Sequence, residues 1–186
     1  MIPSGYEEGT LGSLQPLDGS GDFTFSRGSN LSATRVNQDG YIEKGYENLL
    51  LQSNSFDTTW TTSNASVTGG QAGYDGSNDA WVLEKTNSSG SISQSVSANN
   101  LTTFSVHAKA ATNSWLRFNI VGKTNVFINL SNGDIGDIQG TAGITANTTD
   151  VGGGWYRCSF IYNTATTFQV SIIVADSDGS TSSPTG

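Results

Sequence analysis

Downstream of residue 80 the chain alternates apolar and polar positions with a period of two, the pattern of strands that bury one face. In residues 103–109, Phe104, Val106 and Ala108 point one way and Ser105, His107 and Lys109 the other. In residues 115–121, Leu116, Phe118 and Ile120 oppose Trp115, Arg117 and Asn119. Val126, Ile128 and Leu130 align in residues 125–130. Tyr156, Cys158, Phe160 and Tyr162 share a side of residues 155–162, and Phe168, Val170, Ile172 and Val174 a side of residues 167–174. Residues 81–85 and 91–96 are two further strands. Upstream the pattern is more broken. Phe23 and Phe25 alternate with polar neighbours, and residues 33–36 and 41–43 flank Asn37-Gln38-Asp39-Gly40, whose Asp-Gly favours a tight hairpin turn. Residues 48–52 predict a strand in this β context. Residues 64–80, broken at Gly69-Gly70 and Asp75-Gly76, predict a loop. No segment sustains a 3.6-residue period. About ten short strands separated by Gly, Asn and Asp turns predict an all-β chain, an antiparallel β-sandwich. A small β meander over residues 21–45 and an extended N-terminal arm over residues 1–20 precede it.

The arm holds Pro3, Pro16 and four glycines. Its spaced apolar residues, Ile2, Tyr6, Leu11, Leu14 and Leu17, suit docking of an extended segment onto another chain. Composition sharpens the picture. Ser, Thr, Asn and Gly make up 87 of 186 residues, a share that on its own suggests disorder. Yet 18 aromatics and 21 Val plus Ile supply the apolar surface that disordered chains lack. The polar residues are therefore the outward half of the strands and the turns between them.

Charge excludes some classes of function. The net charge is −8, and the eight Lys plus Arg are scattered from Arg27 to Arg157. Without a basic cluster to neutralise phosphates, no nucleic-acid partner is expected. No apolar run approaches the roughly 20 residues of a membrane helix, and residues 1–5 predict no secretory signal. The single cysteine excludes an internal disulfide framework and a multi-Cys zinc site. Asp134 and Asp137, and Asp176 and Asp178, lie in Asn/Gly/Ser-rich turns, where such residues ordinarily serve turn chemistry; they also offer the oxygen ligands that a structural calcium takes, and beyond that option no cofactor is expected. Catalysis is not expected. His107 has no sequence partner, Cys158 sits inside an alternating strand, and no nucleophile elbow or phosphate loop occurs.

Several segments resemble one family. Asn48-Leu49-Leu50-Leu51-Gln52-Ser53-Asn54-Ser55-Phe56-Asp57 with Trp60 is similar to the opening strand and turn of carbohydrate-binding modules of the galactose-binding-like jelly-roll type. Phe104-Ser105-Val106-His107-Ala108-Lys109-Ala110 resembles the FSVYAKA strand of such modules in bacteriophage proteins. Asp150-Val151-Gly152-Gly153-Gly154-Trp155-Tyr156-Arg157-Cys158 resembles their D-x-G-x-G-W-Y-R-C strand. Residues 22–29 with Ala33-Thr34-Arg35-Val36 look like the element that precedes these modules in phage fibre and appendage proteins. The family's last core strand has no counterpart after the Gly/Ser-rich residues 176–186, so a sandwich one strand short, with more chain beyond Gly186, is expected.

The resemblance implies a bacteriophage virion structural protein, a fibre or appendage subunit on the particle exterior. Residues 1–45 would anchor it to other virion proteins, and a jelly-roll sandwich over residues 46–186 would contact host surface glycans. Fibres are commonly trimers, so a homotrimer is expected, in which multivalency raises weak affinities. The alternatives are a carbohydrate-binding module of a larger virion-borne or secreted glycanase, and a ligand-free capsid decoration or spacer protein. Sugar rings stack on aromatic faces. Trp115, on the polar side of its strand with Arg117 and Asn119, is the leading glycan candidate. Trp60 and Trp81 near loops, and Tyr74 in the Gly-rich loop, follow.

Overall fold

The computed structural model describes residues 6–7, 10–11, 34–45, 47–87, 89–98, 101–140, 144–163 and 167–180. Among them are strands and turns and no helix. The chain divides into two units, Met1–Asn48 and Leu49–Gly186.

The first unit holds two antiparallel pairs, β1 (Tyr6–Glu7) with β2 (Thr10–Leu11) and β3 (Thr34–Val36) with β4 (Ile42–Lys44). The β3–β4 hairpin is the one predicted by Asp39-Gly40. The Asn37 side chain organises its turn, its Oδ1 accepting the amides of Asp39 at 3.0 Å and Tyr41 at 2.9 Å. Gly40 supplies the positive φ of +84°. Of the expected anchoring residues, Tyr6 and Leu11 are backbone partners in β1–β2. Ile2, Leu14 and Leu17, and the predicted strand at residues 22–27, lie outside the described residues.

The second unit runs β5 (Thr61–Ser63), β6 (Ala65–Gln71), β7 (Ala80–Lys85), β8 (Ser91–Ser97), β9 (Leu101–Lys109), β10 (Trp115–Ile120), β11 (Thr124–Asn129), β12 (Ile135–Gly140), β13 (Thr145–Gly152), β14 (Trp155–Asn163) and β15 (Thr167–Ala175). All its pairs are antiparallel. One sheet has six strands in the order β12-β11-β10-β15-β8-β5, a second has three in the order β13-β14-β9, and β6-β7 form a separate hairpin. The inward halves of the alternating strands meet in one core, which makes the unit a β-sandwich. Ile92, Phe118, Ile120, Val126, Ile128, Val170 and Ile172 come from the large sheet, and Phe104, Cys158, Phe160 and Tyr162 from the small one. Phe104, Phe118 and Phe160 form its centre, with ring centroids 5.3 to 5.5 Å apart. Each fully buried aromatic or aliphatic side chain contributes roughly 1.5–3 kcal/mol through lost water contact.

Two expectations fail here for physical reasons. Residues 48–52 form a turn rather than a strand. Leu49 and Leu50 both pack against the core, which a strand's alternation forbids, and Gln52 takes a φ of +50°. A side chain replaces the missing strand partner. Gln94 of β8 accepts the Leu51 amide at 2.7 Å through Oε1 and donates through Nε2 to the Leu51 carbonyl at 3.0 Å. The same amide group donates to Thr59 Oγ1 at 3.1 Å, so one core-facing glutamine fixes residues 51–59 as a cover over the core. The second failure is the loop expected at residues 64–80, most of whose first half is β6. Glycine eases a close approach there, because a Cβ on Gly69 would lie 3.0 Å from the Trp81 indole. Strands β12 and β13 were not predicted either, being edge strands whose residues are mostly exposed.

Candidate functional site

The structure separates the aromatic candidates. Trp60 is 7% exposed, with its indole N–H donating to the Gln52 carbonyl at 3.2 Å and its ring edge-on to Phe56. It presents no face for stacking, which corrects its assignment as a sugar platform. Trp81 is half-buried. It donates to the Asn54 carbonyl at 3.0 Å, covers Gly69 and meets Phe56 edge-on, so it joins the 49–60 cover to the β6–β7 hairpin.

Trp115, Arg117 and Asn119 do share a face, but the turn after β15 runs across it. Arg117 is 8% exposed, with its guanidinium donating to the Ser180 carbonyl at 3.3 Å and lying 5.9 Å from the Phe127 ring centroid. Burial pulls its pKa below the ordinary arginine value. Asn119 donates to Asn125 Oδ1 at 2.8 Å, Asn125 to Gln139 and Gln139 to Gly179, an amide ladder that spends these groups on one another. The Trp115 ring packs so close to Gly136 that a Cβ there would lie 2.7 Å from it. A polar strand face is thus covered by a turn, and Arg117 and Asn119 are corrected from ligand contacts to structural groups.

The acidic candidates also divide. Asp178 Oδ1 accepts the Asp137 amide at 2.7 Å, which brings those two residues together. Asp134 instead pairs with Asn132 at 2.6 Å, and Asp176 with Lys85 and Asn113. Among the described residues no group of three His, Cys, Asp or Glu side chains is placed to hold a metal ion.

What the fold does assemble lies on the small sheet. Its outward residues pair across the strands in rows: Lys109 with Trp155, His107 with Arg157 and then Thr149, Ser105 with Ser159 and then Asn147. Cross-strand partners stand about 4.5–5.5 Å apart at Cβ. Tyr74, from the β6–β7 turn, stacks on His107 with centroids 3.9 Å apart and planes 14° from parallel. That turn is tied by Asp75, which accepts the Ser77 amide at 3.0 Å and hydroxyl at 2.6 Å, bonds that hold its pKa below the usual carboxylate value. The face therefore offers aromatic surface, two exposed cations in Lys109 and Arg157, and the exposed polar groups of Ser105, Thr149 and Asn147, while Ser159 between them is buried. Beside it, between β7 and β9, lies a cleft of about 620 Å³. Ile92, Leu116 and Ile172 of the large sheet and Leu130 just after β11 line it, with Trp81, Trp115 and Trp155 on its walls.

Of the predicted aromatics, Tyr74 alone joins this face, while Trp81 and Trp115 border the cleft. Trp155, His107, Lys109 and Arg157 were missed. The parity of Trp155 against Tyr156, Cys158 and Phe160 carried the signal, but the pairing with Lys109 requires the register. Compared with protein-family models and with curated proteins, the chain matches none.

Proposed function

We propose that this chain is a structural subunit of a bacteriophage fibre or appendage, and that its sandwich, a jelly-roll module, contacts host surface glycans through the outer face of the β13–β14–β9 sheet. The observation that supports the reading is the pair of rows Lys109–Trp155 and Arg157–His107–Tyr74 on one otherwise polar face. In this reading Trp155 stacks on a pyranose ring, Lys109 and Arg157 donate hydrogen bonds to ring substituents, and the Tyr74–His107 stack walls one side. Such contacts are weak singly, and repetition of the subunit on a particle multiplies them.

The test is a glycan array probed with the full chain displayed multivalently. Wild type retains a defined sugar set, Trp155→Ala loses at least tenfold, and Trp115→Ala on the far sheet binds as wild type. Unchanged urea midpoints exclude unfolding as the cause. Absence of any retained sugar overturns the glycan role. The anchoring role is tested separately, by deleting residues 1–20. Particles assembled with that variant contain no copies of it, and normal incorporation refutes the anchor.

A further inference from the structure

The second unit is acidic, with nine Asp and Glu against five Lys and Arg. Its cations are not used alike. Lys85 is paired with Asp176, Arg117 is buried against Ser180, and Lys123 lies in the β10–β11 turn. Lys109 and Arg157 are exposed, and the register sets both on the outward face of the β13–β14–β9 sheet. Lys109 stands opposite Trp155. Arg157 is the next outward residue of β14, about 7–8 Å diagonally from Lys109 and within reach of two long side chains. The Lys109 stem passes Gly154, where a Cβ would lie 3.5 Å from its Cε, at the Trp155 end of the face. The acids stand elsewhere. The three strands contain one, Asp150 near the end of β13, which pairs with the core-packed Tyr156 and whose Oδ1 accepts the Gly152 amide at 2.8 Å. Among the described residues no outward position of β13, β14 or β9 holds Asp or Glu. Asp75, beside Tyr74, turns its carboxylate to Ser77. Two cations in rows without an acid, on a unit with an excess of acid, make a local field of opposite sign that favours an anion.

We propose that the glycan this face takes is an acidic polysaccharide built of uronic acids, with a carboxylate held between Lys109 and Arg157 while its pyranose ring stacks on Trp155. The inference rests on the glycan reading of this face and deepens it by naming the substrate class. The class follows from the placement of the groups. Trp155 and Lys109 are partners in one row, so the ring that stacks and the charge that pairs belong to the same sugar residue. A uronic acid carries its carboxylate on the ring itself, whereas a phosphodiester sets its charge between sugars. The Arg157 guanidinium supplies a fork and the Lys109 ammonium a point charge, and a two-oxygen anion accepts both. A neutral sugar in the same place would take both cations out of water without a countercharge.

The experiment probes the full chain, displayed multivalently, against immobilised polygalacturonate, alginate and hyaluronate, each beside its carboxyl-reduced neutral form, and against a phosphomannan. At least one uronate is retained, its carboxyl-reduced form binds at least tenfold more weakly, and the phosphomannan binds no better than that neutral form. Lys109→Gln and Arg157→Gln each weaken uronate binding about fivefold, and together they abolish the preference over the neutral form. Lys123→Gln, an exposed cation in the β10–β11 turn, binds as wild type. Unchanged urea midpoints exclude unfolding in these variants. Binding that survives carboxyl reduction, equal binding of the phosphomannan, or uronate binding indifferent to both substitutions overturns the inference. A neutral sugar retained with none of the three uronates overturns it and leaves the glycan reading standing, whereas no retained sugar of any kind removes both.

Discussion

Gln94 gives the most discriminating test of how the core is closed. It is 8% exposed and core-facing, between Ile92 and Val96, where alternation asks for an apolar residue. Gln94→Met keeps the side-chain volume and removes all three hydrogen bonds to Leu51 and Thr59. A net bond is worth about 0.5–1.5 kcal/mol, and Leu51 lies at the exposed end of the contact, where water replaces part of the loss. Taking about 0.7 kcal/mol each gives about 2 kcal/mol. At roughly 4 °C per kcal/mol for a domain of this size, the Tm falls about 8 °C. Urea unfolding followed by tryptophan fluorescence measures it, with an unchanged m-value showing that the unfolded state is unaltered. Gln94→Glu sharpens the result. Its carboxylate still accepts the Leu51 amide but faces the Leu51 carbonyl without a proton to donate. Burial raises the folded pKa of such an acid above its unfolded value, so the deficit is fully present above the folded pKa and shrinks as pH falls through it. A Gln94→Met loss below 0.5 kcal/mol, or a Gln94→Glu deficit independent of pH, would refute the reasoning.

Three further outcomes follow from the packing. Phe118→Ala, at 1% exposure and in ring contact with Phe104 and Phe160, costs about 3–5 kcal/mol in urea unfolding, whereas Phe118→Leu costs about 1 kcal/mol. Equal losses would show that the aromatic cluster collapses around any residue. Gly69→Ala brings a Cβ to 3.0 Å from the Trp81 indole, which must give by a few tenths of an ångström, so stability falls by about 1 kcal/mol and the tryptophan fluorescence shifts; an unshifted spectrum at full stability contradicts the close approach. Burial pushes the Cys158 thiol from 9.0 up to about 12. The unfolded chain releases that proton first, so stability is unaffected below pH 9.0 and falls by up to about 1.4 kcal/mol per pH unit above it. Cys158→Ala lacks this slope, and identical pH profiles for the two proteins would contradict a protonated buried thiol.

The strands that carry the core were legible because each buries one face and exposes the other. β9, β10, β11, β14 and β15 fall where the alternation puts them. β12 and β13 were not, since edge strands bury little and their sequences need no apolar period. The Leu49-Leu50-Leu51 run misled because its residues serve a turn, and the partner that fixes the turn is a glutamine 43 residues away. The site failed in a similar way. Alternation identifies Trp115, Arg117 and Asn119 as pointing away from the core, but a turn some 60 residues later covers that side. The Lys109–Trp155 row becomes visible once β9 and β14 are in register.

Among the described residues the β6–β7 hairpin shares no ladder with either sheet. Val67 and Leu83 against the core, the Trp81 contacts and the Lys85–Asp176 ion pair hold it in place. Under mechanical load this separates two kinds of failure. Pulling on the large sheet shears ladders that must break together, as a bolt of cloth tears across many threads. Pulling on the hairpin peels side chains from a surface one at a time and leaves both sheets whole. The sandwich therefore yields first at its detachable part, at a force well below that which ruptures its frame.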